Sequence, residues 1–130
     1  MVKLILITHG NFGESLLTTA SEICCCSQTS ITALSVSGKI NLDELETKIK
    51  KSFTEEGTLI MVDTFGGTSS NIALKCSAEN SKVSVVCGVN LNMVLSALNN
   101  QDKLNLADLT IKVITDGKKA ILDATELIKK

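Results

Sequence analysis

Proline, tryptophan and tyrosine are all absent from the 130-residue chain, whose aromatic residues are three phenylalanines. The chain therefore lacks the stacking platforms that single-stranded nucleic acid or a sugar ring would need. Thirteen basic residues stand against fourteen acidic ones, and a net charge of −1 provides no basic field to hold a polyanion. These absences argue against nucleic-acid binding, and the lack of proline leaves turn formation to glycine, asparagine, aspartate and serine.

Long apolar runs are also missing. The longest near the N-terminus, residues 4–7, is too short to span a bilayer or to form a signal-peptide core, so we expect a cytoplasmic protein. Five cysteines include Cys24, Cys25 and Cys26, which are consecutive and cannot all reach partners in disulfide geometry. The odd number favours free thiols, and a single histidine, His9, without any Cys-x-x-Cys spacing disfavours a metal site.

The length predicts one domain, residues 1–130, in which strand-like and helix-like segments alternate. Apolar runs predict strands at residues 2–8, 31–36, 58–62 and 82–87, and helical spacing of apolar residues predicts helices at 14–23, 41–57, 71–79 and 91–98. Apolar and polar residues alternate over 109–115, which predicts a fifth strand at an edge or across an interface, followed by a helix at 118–128. This pattern indicates an α/β fold with a doubly wound, mostly parallel sheet and helices on both faces.

Two polar residues mark the expected binding edge of this sheet. Ligands bind beyond the carboxyl ends of the strands, where the winding direction reverses. His9 ends the first strand and Asp63 ends the third. In the strand order 2-1-3-4 these strands are neighbours about 4.8 Å apart, so the two side chains are expected to touch.

A histidine paired with a carboxylate favours covalent catalysis. A carboxylate that accepts a hydrogen bond from one ring nitrogen fixes the tautomer, leaves the other nitrogen with a free lone pair, and stabilises the positive charge that develops as that nitrogen attacks. The residues after Asp63, Gly66-Gly-Thr-Ser-Ser70, stand at a predicted helix start and offer backbone N–H groups and hydroxyls to a phosphoryl group.

Each of these features also has a structural interpretation. A lone loop histidine is often incidental, an aspartate often caps a helix, and glycine-rich turns are common between strands and helices. Phe12 and Phe65, which follow His9 and Asp63 in the predicted turns, fit ordinary packing and a hydrophobic collar for a docking protein equally well.

Three blocks of the chain resemble the enzyme IIA domain of the mannose class in the bacterial phosphoenolpyruvate-dependent sugar phosphotransferase system (PTS). They are ILITHGNFGESLL at 5–17, VDTFGGTSSN at 62–71 and GVNLNM at 88–93. The resemblance implies that His9 accepts a phosphoryl group from the phosphocarrier protein HPr and passes it to a histidine of the IIB component. It implies that Asp63 orients and polarises this histidine, and that no cofactor is needed.

The resemblance assigns further roles and expectations. It implies that Thr64, Gly67 and Thr68 line the phosphoryl site, and we place Phe12, Phe65 and Met93 on the surface that meets the partners. The family is typically a homodimer that exchanges a fifth, antiparallel strand, for which residues 109–115 are the candidate. Family members often carry proline where this chain has Ser69 and Asn92.

Other functions compete with the sugar phosphocarrier. The related subunit that supplies phosphoryl groups to dihydroxyacetone kinase shares the fold and the histidine of the first strand. A receiver-like switch would be phosphorylated on Asp63 itself, but it would need an acidic pair after the first strand to hold magnesium, where this chain has Thr8-His-Gly10. A binding module without covalent chemistry is the last alternative.

Overall fold

The computed structural model describes residues 1–24 and 31–129. Within these ranges, four parallel strands form one sheet in the order β2-β1-β3-β4, as the sequence predicts. The strands are β1 (Lys3–His9), β2 (Ile31–Val36), β3 (Thr58–Val62) and β4 (Val83–Cys87). β1 lies between β2 and β3 and is almost entirely buried, which explains its unbroken run of branched aliphatic residues.

Helices cover both faces of the sheet. They are α1 (Phe12–Cys24), α2 (Leu42–Lys51), α3 (Thr68–Ser77), α4 (Leu91–Asn100), α5 (Leu106–Lys119) and the short α6 (Ala124–Ile128). Leu4 and Leu6 face a core shared with α1, α4 and α5, whereas Ile5 and Ile7 face a second core shared with α2 and α3. The α/β architecture with helices on both faces is therefore confirmed.

The predicted fifth strand at 109–115 is wrong, because these residues lie inside helix α5. Leu109 and Val113, four residues apart, are fully buried against α4 and the sheet, while Ile111 is 65% exposed. This is the pattern of one helical face, not of a strand. The side chain of Asn105 accepts a hydrogen bond from the N–H of Asp108 and so caps the start of the helix.

Helix ends differ from the prediction in several places. α2 begins after its Asn41 cap as expected but ends at Lys51, six residues before Gly57. α3 begins at Thr68 instead of residue 71. The long final helix predicted at 118–128 is replaced by the end of α5 and the short α6.

Cys76 and Cys87 form no disulfide among the described residues, whereas Cys25 and Cys26 lie outside the described ranges. Burial raises the pKa of the Cys76 and Cys87 thiols, so both stay protonated at neutral pH. Among the helices of the described ranges, none combines the length and the apolar character that a bilayer crossing requires.

Candidate active site

The chain-order reversal of the sheet lies between β1 and β3, the neighbouring central strands. Ile7 pairs with Val62 in the parallel register, so the carboxyl ends of both strands meet at the same edge. His9 and Asp63 stand just beyond this pair, one at the end of each strand. The topology therefore brings together two residues that are far apart in sequence, at the edge where open α/β sheets bind ligands.

The two side chains are in direct contact, as predicted. Nδ1 of His9 lies 2.7 Å from Oδ2 of Asp63, and the backbone N–H of His9 donates to the same oxygen at 2.9 Å. The paired carboxylate thus holds the residue at its backbone and at its ring. Of the two ring nitrogens, this contact engages Nδ1 and leaves Nε2 as the atom available for chemistry.

Asp63 is held as a carboxylate. Its other oxygen, Oδ1, accepts the N–H of Thr64 at 3.0 Å, and the Asp63 carboxylate also has a side-chain hydrogen bond with Ser69. Burial acts to raise the pKa of Asp63, but the hydrogen bonds from His9, Ser69 and Thr64 outweigh burial and lower that pKa below its usual range. At neutral pH the group is therefore an anion that accepts hydrogen bonds and takes up no proton.

The exposure of the pair is unequal. The side chain of His9 is 51% exposed, whereas that of Asp63 is only 14% exposed. A pocket of about 290 Å³ opens beside the imidazole and is lined by Val36, Ser37, Gly38, Ile40, Leu42 and Thr68. The ring is therefore accessible to an incoming group, while the carboxylate behind it is shielded from water.

The turn from β1 to α1 fixes the position of His9. Thr8 is fully buried, and its Oγ1 accepts the N–H of Gly13 at 2.8 Å, which ties the start of α1 to the end of the strand. A Cβ on Gly13 would lie only 2.9 Å from Oγ1 of Thr8, so this close approach requires glycine. Gly10 has φ +53°, a conformation that allows the chain to turn directly after the histidine.

The turn from β3 to α3 is closed by Ser70. Its hydroxyl accepts the N–H of Gly66 at 2.8 Å and donates to the carbonyl of Gly67 at 3.1 Å. Gly67 is the N-cap of α3 and provides no side-chain cap, and a Cβ at this position would lie 3.3 Å from Cε1 of His9. The first turn of α3 thus packs closely against the imidazole with its N–H groups uncapped by a side chain.

The predicted hydroxyl donors of this turn divide into two groups. Thr68 is exposed and lines the pocket beside His9. Ser69 and Ser70 are fully buried, so the expectation that they present hydroxyls to a phosphoryl group is wrong. Their hydroxyls face inward because they satisfy the turn and the His9–Asp63 pair.

Comparison with known proteins identifies the family of this site. The family model EIIA-man, described as "PTS system fructose IIA component", matches residues 3–114, most of the chain. The chain belongs to this EIIA family. Components of the family act as phosphotransferases in sugar uptake, which agrees with a half-exposed histidine paired with a carboxylate.

Individual EIIA relatives support the assignment. The chain is 29% identical over 113 residues to the fructose-specific EIIA component of the PTS in Bacillus subtilis (strain 168), a match that spans 84% of this chain and 77% of that protein. It is 26% identical over 128 residues to the mannose-specific EIIAB component of Escherichia coli (strain K12), spanning 92% of this chain but 39% of that longer protein. The crystal structure of the PTS component EIIA from Streptococcus agalactiae matches with a TM-score of 0.88 at 25% identity, covering 97% of this chain and 99% of that one.

The residues predicted on the partner surface of this EIIA chain do not all lie at its surface. Phe12 is 46% exposed and Phe65 is 76% exposed, each close in sequence to a member of the central pair. Met93 is only 4% exposed, so its predicted surface position is wrong. It packs inward because α4 lies against α5, where Gly117 leaves room for the methionine side chain.

Sequence reasoning missed the supporting roles of three hydroxyl residues of this EIIA site. The sequence pattern predicts Thr8 only as part of a strand, and it predicts that Ser69 and Ser70 offer hydroxyls to a phosphoryl group, whereas all three hydroxyls bond within the protein. Thr8 could have been found as a polar residue within an otherwise apolar buried strand. The inward direction of Ser69 and Ser70 depends on where α3 begins, which the sequence placed three residues too late.

Proposed function

We propose that this chain is the phosphocarrier of a sugar PTS that accepts a phosphoryl group from phospho-HPr on Nε2 of His9 and passes it to the IIB component. The observation that carries this proposal is the 2.7 Å contact between Nδ1 of His9 and Oδ2 of Asp63, with the ring half exposed. Family membership supplies the general activity. We assign the transfer to Nε2 of His9 because Nδ1 is engaged by Asp63.

The transfer step follows from this contact. With Nδ1–H donating to Asp63, the lone pair of Nε2 attacks the phosphorus atom of the donor and forms an N–P bond. The bond from phosphorus to the donor atom of HPr breaks, and its electron pair stays on HPr. The ring keeps its Nδ1 proton and becomes cationic, and the Asp63 carboxylate stabilises that charge. In the second transfer a histidine of IIB attacks the same phosphorus atom, the bond from phosphorus to Nε2 breaks, and its electron pair returns to the ring of His9.

The neighbouring turn provides the phosphoryl site in this proposal. Gly67 places the first turn of α3 against the imidazole without a side chain in between, and the N-terminal N–H groups of a helix attract phosphoryl oxygens. Thr68 lines the same pocket as His9, and Thr64 follows Asp63 and lies against Gly67. We assign these three residues to holding the transferred group, which needs no metal or other cofactor in this scheme.

The proposed binding of the partner proteins HPr and IIB is based on two exposed phenylalanines. Phe12 and Phe65 are large, exposed apolar side chains that follow His9 and Asp63 by three and two residues, and in this proposal the phosphoryl group arrives attached to another protein. Exposed aromatic residues beside a reactive group favour protein docking over packing, so we assign them to contacts with HPr and IIB. We further propose that residues 1–130 form one IIA domain. This domain acts in the cytoplasm as a homodimer. Helix α5 occupies residues 109–115, so the proposed dimer does not exchange a strand there.

Phosphoryl labelling tests the proposal directly. Incubation with phosphoenolpyruvate, enzyme I and HPr should label the chain in an acid-labile, base-stable form, and mass spectrometry of the labelled protein should locate the phosphate on His9. The H9Q variant should take up no label. Equal labelling of H9Q, or phosphate found on Asp63, would refute the phosphocarrier, and the second result would favour the receiver-like alternative.

A further inference from the structure

Ser69 occupies an unusual position behind the His9–Asp63 pair. It lies in the first turn of α3, is 0% exposed, and its Oγ is 3.4 Å from Nδ1 of His9. It also forms a side-chain hydrogen bond with Asp63. A buried hydroxyl that reaches both members of a reactive pair is placed to act on their geometry.

The hydrogen bonds accepted by the two carboxylate oxygens of Asp63 show what Ser69 contributes to the site. Oδ2 receives two donors, both from His9, and Oδ1 receives the N–H of Thr64. These three donors, two from the backbone and one from the imidazole ring, hold the carboxylate from the ends of β1 and β3. Ser69 approaches from α3 with its Oγ 3.4 Å from Nδ1 of His9 and its side chain hydrogen-bonded to Asp63, so it is placed to oppose rotation of the carboxylate about its Cβ–Cγ bond.

We propose that Ser69 is a positioning residue that locks the Asp63 carboxylate in the orientation that keeps the proton of His9 on Nδ1 and leaves Nε2 unprotonated. The inference deepens the proposed function, on which its value for phosphoryl transfer rests. Ser69 itself touches no transferred group, because its side chain is fully buried.

The other groups that surround the imidazole do not compete with Asp63 and Ser69 for control of its tautomer. Asp63 faces His9 from β3, and the thiol of Cys87 at the end of β4 lies within electrostatic range of that carboxylate and is itself protonated. The residues that line the pocket on the other side of the ring are uncharged: Val36, Ser37, Gly38, Ile40, Leu42 and Thr68.

The test uses the fact that His9 is the only histidine of the sequence. Imidazole ¹⁵N NMR of the whole chain therefore reports one ring without background, and it distinguishes the Nδ1–H tautomer from the Nε2–H tautomer at alkaline pH. In S69A, the fraction of the Nδ1–H tautomer should fall and exchange of the ring proton with water should accelerate by about tenfold, the effect of one hydrogen bond to a charged group.

Two variants separate the hydrogen bond from packing. S69C fills nearly the same volume with a weak donor and should resemble S69A. S96A removes a buried hydroxyl that donates to Asp116 on α5, away from the His9–Asp63 pair, and should leave the ring signals as in wild type. In a D63N background, S69A should produce no further change, because Ser69 acts through the carboxylate.

Several outcomes would overturn the inference. They are wild-type ring signals in S69A, wild-type signals in S69C, an equal change in S96A, or an S69A effect that persists unchanged in D63N. The measurement uses the unphosphorylated chain and needs no phosphoryl donor. A chain that cannot be labelled but shows the S69A effect would refute the proposed function alone, whereas normal labelling of wild type with unchanged S69A spectra would refute the role of Ser69 alone.

Discussion

Oδ2 of Asp63 accepts both the backbone N–H of His9, at 2.9 Å, and its ring nitrogen Nδ1, at 2.7 Å, across 54 residues of sequence. One carboxylate oxygen thereby holds both the backbone and the imidazole ring of His9. The strand order explains how this is possible, since β1 and β3 are neighbours whose carboxyl ends share one edge. The consequences of this contact for transfer and for stability can be tested separately.

Replacing Asp63 by asparagine should slow phosphoryl transfer strongly. D63N removes the negative charge that stabilises the cationic ring and turns one acceptor into an N–H₂ donor that faces other donors. We expect labelling of His9 from phospho-HPr to be about 10²-fold slower, the usual cost of losing an electrostatic partner in the transition state. The measurement is a single-turnover time course of label transfer.

Asp116 provides a matched control for D63N. It is also an aspartate whose pKa is lowered by a serine hydroxyl, with Ser96 donating to it at 2.7 Å, but it lies on α5. D116N should retain the wild-type labelling rate. If D116N and D63N slow labelling equally, the loss reflects general loss of structure and not the pairing with His9.

The stability contribution of Asp63 should depend on pH. The pKa of Asp63 is lower in the folded chain than the ordinary value of 3.8, because burial is outweighed by hydrogen bonds that unfolding breaks. The stabilisation is therefore complete above pH 3.8 and is lost as the pH falls from there through the lowered native pKa. D63N should cost about 1–2 kcal/mol of unfolding free energy at neutral pH, and the difference from wild type should shrink in acid.

Urea unfolding of wild type and D63N at pH 7 and at pH 3 measures this dependence. D102N, which alters an exposed aspartate after α4, serves as the reference variant. A difference between wild type and D63N that stays constant from neutral to acid pH would contradict the ionised, hydrogen-bonded state of Asp63.

A methyl group at position 67 should impair the histidine without unfolding the chain. Gly67 has φ −89°, which alanine adopts freely, but the added Cβ would lie 3.3 Å from Cε1 of His9. G67A should therefore push the ring out of line and slow labelling about tenfold, while changing the unfolding free energy by no more than about 0.5 kcal/mol.

A methyl group at position 88 should have the opposite effect, lowering stability while sparing phosphoryl labelling. Its φ is +84°, and a Cβ there would have no neighbour within 4 Å. G88A should cost about 1–2 kcal/mol of stability through backbone strain and leave the labelling rate close to wild type. Labelling kinetics and urea unfolding of G67A and G88A check that the first variant loses labelling rate and the second loses stability. A wild-type labelling rate in G67A would show that the ring tolerates displacement.

Most of the fold is predictable from local patterns. The four parallel strands are continuous apolar runs, and their alternation with helices predicts a doubly wound parallel sheet, for which the order 2-1-3-4 is the one we adopt. The segment 109–115 is different, because Leu109, Ile111 and Val113 alternate as in a strand while Leu109 and Val113 are also one helical turn apart. Seven residues cannot decide between these periods, and only the Asn105 cap and burial against α4 favour the helix.

The candidate site is predictable at the level of which residues meet and less so in the direction of their side chains. Strand ends place His9 beside Asp63 whatever the details of the loops. The direction of Ser69 depends instead on the first residue of α3, because a shift of one residue rotates a helical side chain by about 100°. Met93 is misplaced for a similar reason, since its burial depends on the position of α5, which the sequence predicted as a strand.

The contact between α4 and α5 provides a test of the helix that replaced the predicted strand. A Cβ on Gly117 would lie 2.4 Å from Cγ and 2.9 Å from Sδ of Met93, a side chain that is almost fully buried. G117A should therefore destabilise the chain by about 1–3 kcal/mol through overpacking. In an M93A background the space is free, and G117A should instead stabilise the chain by up to about 1 kcal/mol because alanine favours a helix more than glycine does. Urea unfolding of the four chains gives the coupling between the two positions. An equal cost of G117A in both backgrounds, or none in either, would show that Gly117 does not pack against Met93, as expected if the segment before it were an edge strand.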